Sequence, residues 1–201
     1  ALPIYRLLWP PFTHLFGKAK VTQREFVQRF RQWFTLEEAL AVIEEGKFGL
    51  AFSSGVAATD AVIKLLKPGD EVIAGNDMYG GTYRLFSKVF EKFGIVFHYI
   101  NLSEVNNIEK YINPNTKLVW VETPTNPLMN IADIAEIAHL TKKHKLLLCV
   151  DNTFASPALQ NPLSLGADIV MHSATKYLSG HSDVIQGSLI VNDKSLRDEL
   201  Y

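Results

Sequence analysis

Lys176 is the residue of this sequence whose surroundings most favour chemistry. It lies in MHSATKYLSGH (171–181), directly after an apolar run and among small hydroxylated residues and glycines. A lysine in a loop is usually a solvated charge, so a chemical role depends on what else reaches the same place. An amine held there could bond to a carbonyl carbon or move a proton.

Asp151 is the second candidate, because it follows the apolar run LLLCV (146–150). A carboxylate at the buried end of a central strand is costly unless a cation or a hydrogen-bond donor pairs with it. The structural alternative is a helix N-cap, but Pro157 delays the next helix by several residues. Asp151 is therefore hard to explain as a purely structural residue.

Short apolar runs alternate with longer stretches of helical period from about residue 47 onward. The predicted strands are 48–52, 71–75, 95–100, 117–122, 146–150, 168–172 and 187–192, and the stretches of helical period are 56–67, 81–93, 104–112, 133–144 and 158–166. This alternation predicts an α/β fold with a mainly parallel (mixed) sheet and helices on both faces. Ligands of such sheets bind beyond the carboxyl ends of the strands.

The first predicted strand ends at Ser53, Ser54 and Gly55, and a helix opens at Val56. Free backbone N–H groups at a helix start, with a glycine that allows close approach, suit a phosphate group. Taken alone, the same residues are at least as typical of an ordinary N-cap.

Further polar residues follow the other predicted strands. Tyr79 precedes two glycines after the second strand, where a half-buried loop tyrosine is the commoner case. The proline-rich loop TPTNP (123–127) could present Glu122 and Asn126, and a structural loop is about equally expected there. Ser173 and Thr175 follow the strand that precedes Lys176.

Together these strand ends supply a phosphate cup, hydroxyl donors, an aromatic ring, a buried carboxylate and a lysine amine. Pyridoxal 5′-phosphate (PLP) needs all five of them: an amine for its aldehyde, donors for its phosphate, a ring for stacking and an anion beside its pyridine nitrogen. The anion favours the pyridinium form, and each pKa unit gained is worth about 1.4 kcal/mol. The sequence therefore predicts a PLP site at this rim.

Five motifs closely resemble the PLP-dependent enzymes of cysteine and methionine metabolism, a family that includes cystathionine γ-lyase, γ-synthase and β-lyase and methionine γ-lyase. The motifs are SSGVAAT, YGGT, VETPTNP, VDNTFASP and HSATKYLSGHSDV. The resemblance covers about residues 36–201. It implies the large PLP-binding domain of fold-type I and roughly the N-terminal half of a full-length enzyme.

The resemblance also implies a role for each matching residue. Lys176 is similar to the Schiff-base lysine, Asp151 to the partner of the pyridine nitrogen and Tyr79 to the stacking ring, which also helps to activate leaving groups. The remaining expected contacts are a phosphate site at Gly55, Val56, Ser173 and Thr175, a contact to the ring hydroxyl from Asn126, and Thr153 against the ring. Catalysis is expected from Lys176, Tyr79 and Asp151, and no metal is expected.

Two departures from the family pattern stand out. By back-counting, Phe26 and Gln28 stand where the family has the tyrosine and arginine of a Tyr-Ser-Arg-Ser-Gly-Asn-Pro motif, which reach the neighbouring subunit's phosphate. A frame error would explain this change and the irregular composition of residues 1–35. The sequence also ends at RDELY within a predicted helix, so we expect a missing C-terminal portion, which in the family holds the arginine for the substrate carboxylate.

The predicted organisation is an arm and lead-in helix at 1–46, a PLP-binding domain at 47–201 and an absent C-terminal substrate domain. The predicted function is elimination or replacement on sulfur amino acids, of the cystathionine γ-lyase or γ-synthase type. Cystathionine β-lyase or methionine γ-lyase chemistry, a catalytically inactive fragment or scaffold, and an aminotransferase of the same fold remain alternatives. The family further implies a homotetramer built from dimers.

Composition excludes several other classes of function. The net charge of −1 and the pI of about 6.7 do not favour nucleic acid or an anionic membrane as partner. The apolar runs have the length of strands, and no secretory signal pattern is present. The single cysteine, Cys149, is typical of a reducing compartment, so a cytoplasmic location is expected.

Overall fold

A computed structural model describes residues 35–201 of the chain. The helices in this part are α1 (Leu36–Ile43), α2 (Gly55–Ile63), α3 (Gly80–Lys88), α4 (Asn106–Glu109), α5 (Ile134–His144) and α6 (Lys194–Leu200), with a 3₁₀ helix at Phe90–Phe93. The strands are β1 (Phe48–Phe52), β2 (Glu71–Gly75), β3 (Val96–Ile100), β4 (Thr116–Glu122), β5 (Leu147–Asp151), β6 (Ile169–His172) and β7 (Gly187–Val191).

The described strands form one sheet in the order β1-β7-β6-β5-β4-β2-β3. The five strands from β6 to β3 are parallel, and β7 runs antiparallel to both of its neighbours, β6 and β1. The predicted mainly parallel, mixed sheet is therefore confirmed. Because β1 and β6 run in the same direction, the carboxyl ends of six strands share one rim.

The sheet is buried on both faces, which explains why its central strands read as continuous apolar runs. On one face, Phe86 of α3 stacks on Phe97 with ring centroids 4.5 Å apart and meets the edge of Trp120 at 5.6 Å. On the other face, Ile137 of α5 packs in the cluster that contains Leu148. The core thus occupies two layers, one on each side of the sheet.

Helix α1 begins with a capping box. The Thr35 hydroxyl accepts a hydrogen bond from the Glu38 N–H (3.2 Å), and the Glu38 carboxylate accepts one from the Thr35 N–H (2.7 Å). These two bonds satisfy backbone donors that a helix start leaves without intrahelical partners. The predicted lead-in helix is therefore present from Leu36. The part of the predicted stretch before Thr35 lies outside the described residues.

The structure differs from the sequence prediction at 158–166, where no helix forms. Ser156 has a positive φ of 61°, and Pro162 has no N–H to donate. The backbone instead closes in successive turns, such as the hydrogen bond from the Leu165 N–H to the Pro162 carbonyl at 3.1 Å. The helical spacing of apolar residues at 158–166 therefore occurs in a connection made of turns, not in a helix.

Two other predicted helical stretches are shorter than expected. The stretch 81–93 is split between α3 and the 3₁₀ helix, which ends at Gly94 in the left-handed region (φ 83°). The stretch 104–112 contains only the four-residue α4.

Phe86 offers a direct test of this core. We expect Phe86→Ala to lower the free energy of unfolding by about 3–5 kcal/mol, because the ring is fully buried against two other rings. The matched control is Phe93→Ala, whose side chain is 66% exposed and which should change stability by less than about 1 kcal/mol. Urea unfolding measures both variants, and equal losses would contradict the packing described.

Candidate active site

The carboxyl ends of the strands surround a cavity of about 500 Å³. Its lining includes all nine residues that the sequence marked as candidates: Gly55, Val56, Tyr79, Asn126, Asp151, Thr153, Ser173, Thr175 and Lys176. Lys176 and Asp151 in particular line the same cavity, so one small molecule can reach both. Their individual roles stay predictions.

The start of α2 forms one wall of the cavity. Ser54 is the N-cap, and its hydroxyl accepts a hydrogen bond from the Ala57 N–H at 3.1 Å. A Cβ on Gly55 would lie 2.8 Å from the Ser173 Cβ, so only glycine allows the helix start to meet the end of β6 this closely. Backbone N–H groups and a hydroxyl consequently converge, as an anion site requires.

Asp151 ends β5 and is only 6% exposed. Its Oδ1 accepts hydrogen bonds from the Thr153 hydroxyl (2.5 Å) and the Thr153 N–H (3.0 Å). The Thr153 hydroxyl in turn accepts from the Ser173 N–H at 2.8 Å. No residue in the described range 35–201 donates to Oδ2, which leaves that oxygen for a donor in the cavity, such as a protonated heterocyclic nitrogen.

Burial raises the pKa of Asp151, and the Thr153 hydrogen bonds act in the opposite direction. Glu122 is its register partner on β4, so the two side chains point to the same face of the sheet. Burial, followed by the charge of Asp151, raises the pKa of Glu122 to about 8. The cavity therefore holds two acidic groups that disfavour each other's charge, an arrangement that a cation between them would relieve.

Glu122 also positions Tyr79. The Tyr79 N–H donates to Glu122 Oε2 at 2.8 Å, which fixes the backbone just before α3. The Tyr79 side chain is 46% exposed, so its ring forms an open wall of the cavity. The strand-end position of Glu122, equivalent to that of Asp151, is the sequence signal for its place in the site.

Asp77 ties two loops of the rim together. Its carboxylate accepts hydrogen bonds from the Thr125 hydroxyl and from the Leu128 N–H, the latter at 3.1 Å. The segment that carries Tyr79 is thereby held against the segment that carries Asn126.

Lys176 lies in a turn after β6, where its N–H donates to the Ser173 carbonyl at 3.0 Å. The turn is anchored by Thr175, whose hydroxyl donates to the Gln186 carbonyl (3.1 Å) and accepts from the Gln186 N–H (3.0 Å). Lys176 itself is exposed. The cavity is therefore open on the side of this lysine.

Five lining residues were not anticipated from the sequence as contributors to the site: Thr59, Thr82, Phe154, Met171 and Ile185. Thr59 and Thr82 lie one turn into α2 and α3, so the helical period from Gly55 and Tyr79 could have indicated them. Ile185 belongs to the connection before β7, and nothing local to its sequence points to the cavity.

Comparisons with known proteins identify the family of the chain. The family described as "Cys/Met metabolism PLP-dependent enzyme" matches residues 30–201. A cystathionine gamma-synthase/O-acetylhomoserine (thiol)-lyase of Bacillus subtilis is 55% identical over 83% of the chain. The chain belongs to this PLP-dependent family.

Relatives with different activities match the same part of the chain. A cystathionine beta-lyase of Staphylococcus haemolyticus is 52% identical over 83% of the chain. The crystal structure of a cystathionine gamma-lyase from Lactobacillus plantarum, complexed with L-serine, superposes with a TM-score of 0.81 at 48% identity and covers 82% of the chain. The resemblance to the family expected from the motifs is thus confirmed.

The chain spans less than half of these relatives. It covers 44% of the Bacillus protein, 42% of the Staphylococcus protein and 43% of the Lactobacillus chain. Phe26 and Gln28, predicted to replace a family tyrosine and arginine, lie before the described residues. No helix between residues 35 and 201 is long and apolar enough to cross a membrane.

The raised pKa of Glu122 predicts how stability depends on pH. In the unfolded chain this carboxyl titrates near 4.5, and in the folded chain near 8, so folding favours its protonated form. Its contribution to stability is complete below pH 4.5 and is lost as the pH rises to about 8. Glu122→Gln should therefore gain stability relative to the unsubstituted chain over this window.

Urea unfolding across the same pH range measures the effect. The exposed Glu136→Gln is the matched control and should follow the unsubstituted chain. Parallel pH profiles for Glu122→Gln and the unsubstituted chain would show that the carboxyl is not protonated in the folded state.

Proposed function

We propose that this chain is the cofactor-holding part of a PLP-dependent lyase or transferase of sulfur amino acids, acting by γ-elimination or γ-replacement of the cystathionine type. The observation that carries the proposal is the presence of Lys176 and Asp151 in one cavity whose third wall is a helix start. When bound, PLP supplies an electron sink for the negative charge left at the substrate Cα.

The helix start accounts for binding of the phosphate. The N–H groups of Gly55 and Val56 have no partner earlier in α2, and the helix dipole adds partial positive charge at this end. Ser173 and Thr175 add hydroxyls from the other wall. Since the backbone supplies most donors, a valine at position 56 serves as well as another apolar residue.

Asp151 accounts for the binding of the pyridine nitrogen. Its Oδ1 is occupied by Thr153, so Oδ2 would accept a hydrogen bond from the protonated pyridine nitrogen. A cation at this point also offsets the repulsion between Asp151 and Glu122. Tyr79 would lie along the ring face, with its hydroxyl free to exchange a proton at the substrate amine or the leaving group. Asn126 would contact the ring hydroxyl.

Lys176 would carry the cofactor and then act as a base. Its amine would hold the cofactor through the aldehyde. When free, the same amine would take the proton from the substrate Cα and could return it at a neighbouring carbon. Exclusion of water from an amine that is exposed here requires substrate or further protein to cover this side of the cavity.

The substrate class follows from the family and from the names of its members. The relatives are named for cystathionine synthesis, β-cleavage and γ-cleavage at similar identity. We propose γ-chemistry in transsulfuration, with β-lyase or methionine γ-lyase chemistry as the alternative, in a cytoplasmic homotetramer built from dimers.

A second candidate function is a catalytically inactive fragment or scaffold that keeps the fold and associates with partner subunits. It is favoured by Phe26 and Gln28, which stand in place of the family's phosphate-contacting pair.

Replacement of Lys176 tests the cofactor assignment. Lys176→Ala should abolish the visible absorbance band of the lysine-bound cofactor, because no other amine of the cavity lining can hold the aldehyde. After borohydride reduction, mass spectrometry of the unsubstituted chain should find the cofactor on the peptide that contains Lys176. The exposed Lys194→Ala should keep both signals. A Lys176→Ala variant that keeps the band refutes the assignment.

Turnover separates the two candidate functions. With PLP and L-cystathionine, the enzyme hypothesis expects release of 2-oxobutyrate for γ-cleavage or of pyruvate for β-cleavage. Asp151→Asn should slow this release by at least about tenfold, since the loss of one charge-assisted contact costs about 1.5–3 kcal/mol. Cofactor binding without release of either keto acid would favour the inactive fragment.

A further inference from the structure

A buried contact between a glutamate and a histidine lies behind the cavity wall, outside the lining of the candidate site. Glu44, the C-cap residue of α1, is 0% exposed, and His172, the last residue of β6, is 1% exposed. Glu44 Oε1 contacts His172 Nε2 and also accepts a hydrogen bond from Asn152 Nδ2 at 2.7 Å. The pair therefore joins α1 to the ends of β5 and β6.

Burial indicates the charge state of this pair. A carboxylate without any exposure is costly unless a cation compensates it, and Asn152 is neutral. Glu44 Oε2 has no hydrogen-bond partner among residues 35–201, so compensation of a charge on this carboxyl falls to the groups at Oε1. Imidazole is more basic than a carboxylate, which favours a proton on His172 rather than on Glu44.

Hydrogen bonds at the strand ends connect His172 to Asp151 of the candidate site. His172 precedes Ser173, whose N–H donates to the Thr153 hydroxyl that holds Asp151. The Asn152 N–H donates to the Met171 carbonyl at 2.9 Å, which ties the ends of β5 and β6 together. Burial raises the pKa of Asp151, hydrogen bonds from Thr153 lower it, and the positive charge of His172 lowers it further.

We propose that Glu44 and His172 are positioning residues for the cofactor: Glu44 keeps His172 protonated, and the imidazolium keeps Asp151 anionic towards the pyridine nitrogen. The inference deepens the proposed function and rests on it. It assigns an electronic role to a residue of α1 that does not line the cavity and precedes the first strand of the sheet.

The ionisable groups around the two partners set the expected pH response. Asp151 shares the cavity with Glu122 from β4 and Lys176 from the turn after β6, and it feels His172 from β6. His172 is paired with Glu44 from α1. Glu122 and Glu44 favour nearby positive charge, whereas His172 and the Thr153 hydrogen bonds favour the anion at Asp151. Removal of the Glu44 charge thus weakens the support that His172 gives to that anion.

NMR of the chain loaded with ring-¹⁵N-labelled PLP tests the inference. In the unsubstituted protein we expect the ring nitrogen at the shift of a pyridinium and the His172 side-chain nitrogens, assigned with a His172→Gln variant, at shifts of an imidazolium. In Glu44→Gln we expect His172 to become neutral, and the pH at which the ring nitrogen loses its proton to fall. The lysine bond to the cofactor should remain.

Glu45→Gln is the matched control, because Glu45 is the next residue of the same helix end but is exposed and bonded to Ser164. It should leave both sets of shifts unchanged. A Glu44→Gln variant that is less stable but keeps the ring-nitrogen titration would show a purely structural pair and overturn the inference.

The histidine spectrum of the unsubstituted chain does not depend on Glu44→Gln, so it remains decisive if that variant does not fold. A neutral His172 in that spectrum would also overturn the inference. The outcome is distinguishable from failure of the proposed function, because in that case the unsubstituted chain would not bond PLP at Lys176.

Discussion

The site depends on a carboxylate that is held almost out of water. Asp151 stands at the end of a strand whose other residues are apolar and nearly all fully buried, where an isolated charge would shift to its neutral form. Thr153 donates two hydrogen bonds to one oxygen of the Asp151 carboxylate, and no described residue donates to the other oxygen. The cationic ring that we propose as ligand would supply a donor to this second oxygen, so the end of the strand would set where the ring nitrogen binds.

The surrounding elements hold this geometry through strand ends and loops that lie far apart in sequence. The Ser173 N–H holds the Thr153 hydroxyl, Glu122 holds the backbone of Tyr79, and Asp77 joins two rim loops. Each of these bonds links segments that follow different strands, so the sheet supplies the common frame. A shift of one strand would move several contacts at once, which is why a cofactor site can be kept rigid on loops.

The matched relatives are named for different reactions. Proteins named for cystathionine synthesis, β-cleavage and γ-cleavage each match 166 residues of the chain at 50–55% identity. What these reactions share is removal of the proton at Cα and storage of the resulting charge, the two steps for which we propose Lys176 and a cofactor held by Asp151. The choice of the bond that breaks afterwards must depend on groups beyond this shared set.

The sequence alone determined the alternation of strands and helices along most of the chain and the rim at which ligands are expected. It also marked Lys176 and Asp151 as the residues to expect at that rim. These features follow from local periodicity and from the cost of a charge beside an apolar run, both of which are visible in a short window. The turns at 158–166, the exposure of Lys176 and the pairing of Glu44 with His172, 128 positions apart, were decided only by the tertiary structure. They depend on which strands become neighbours and on which helix covers them, and a window of local sequence contains neither.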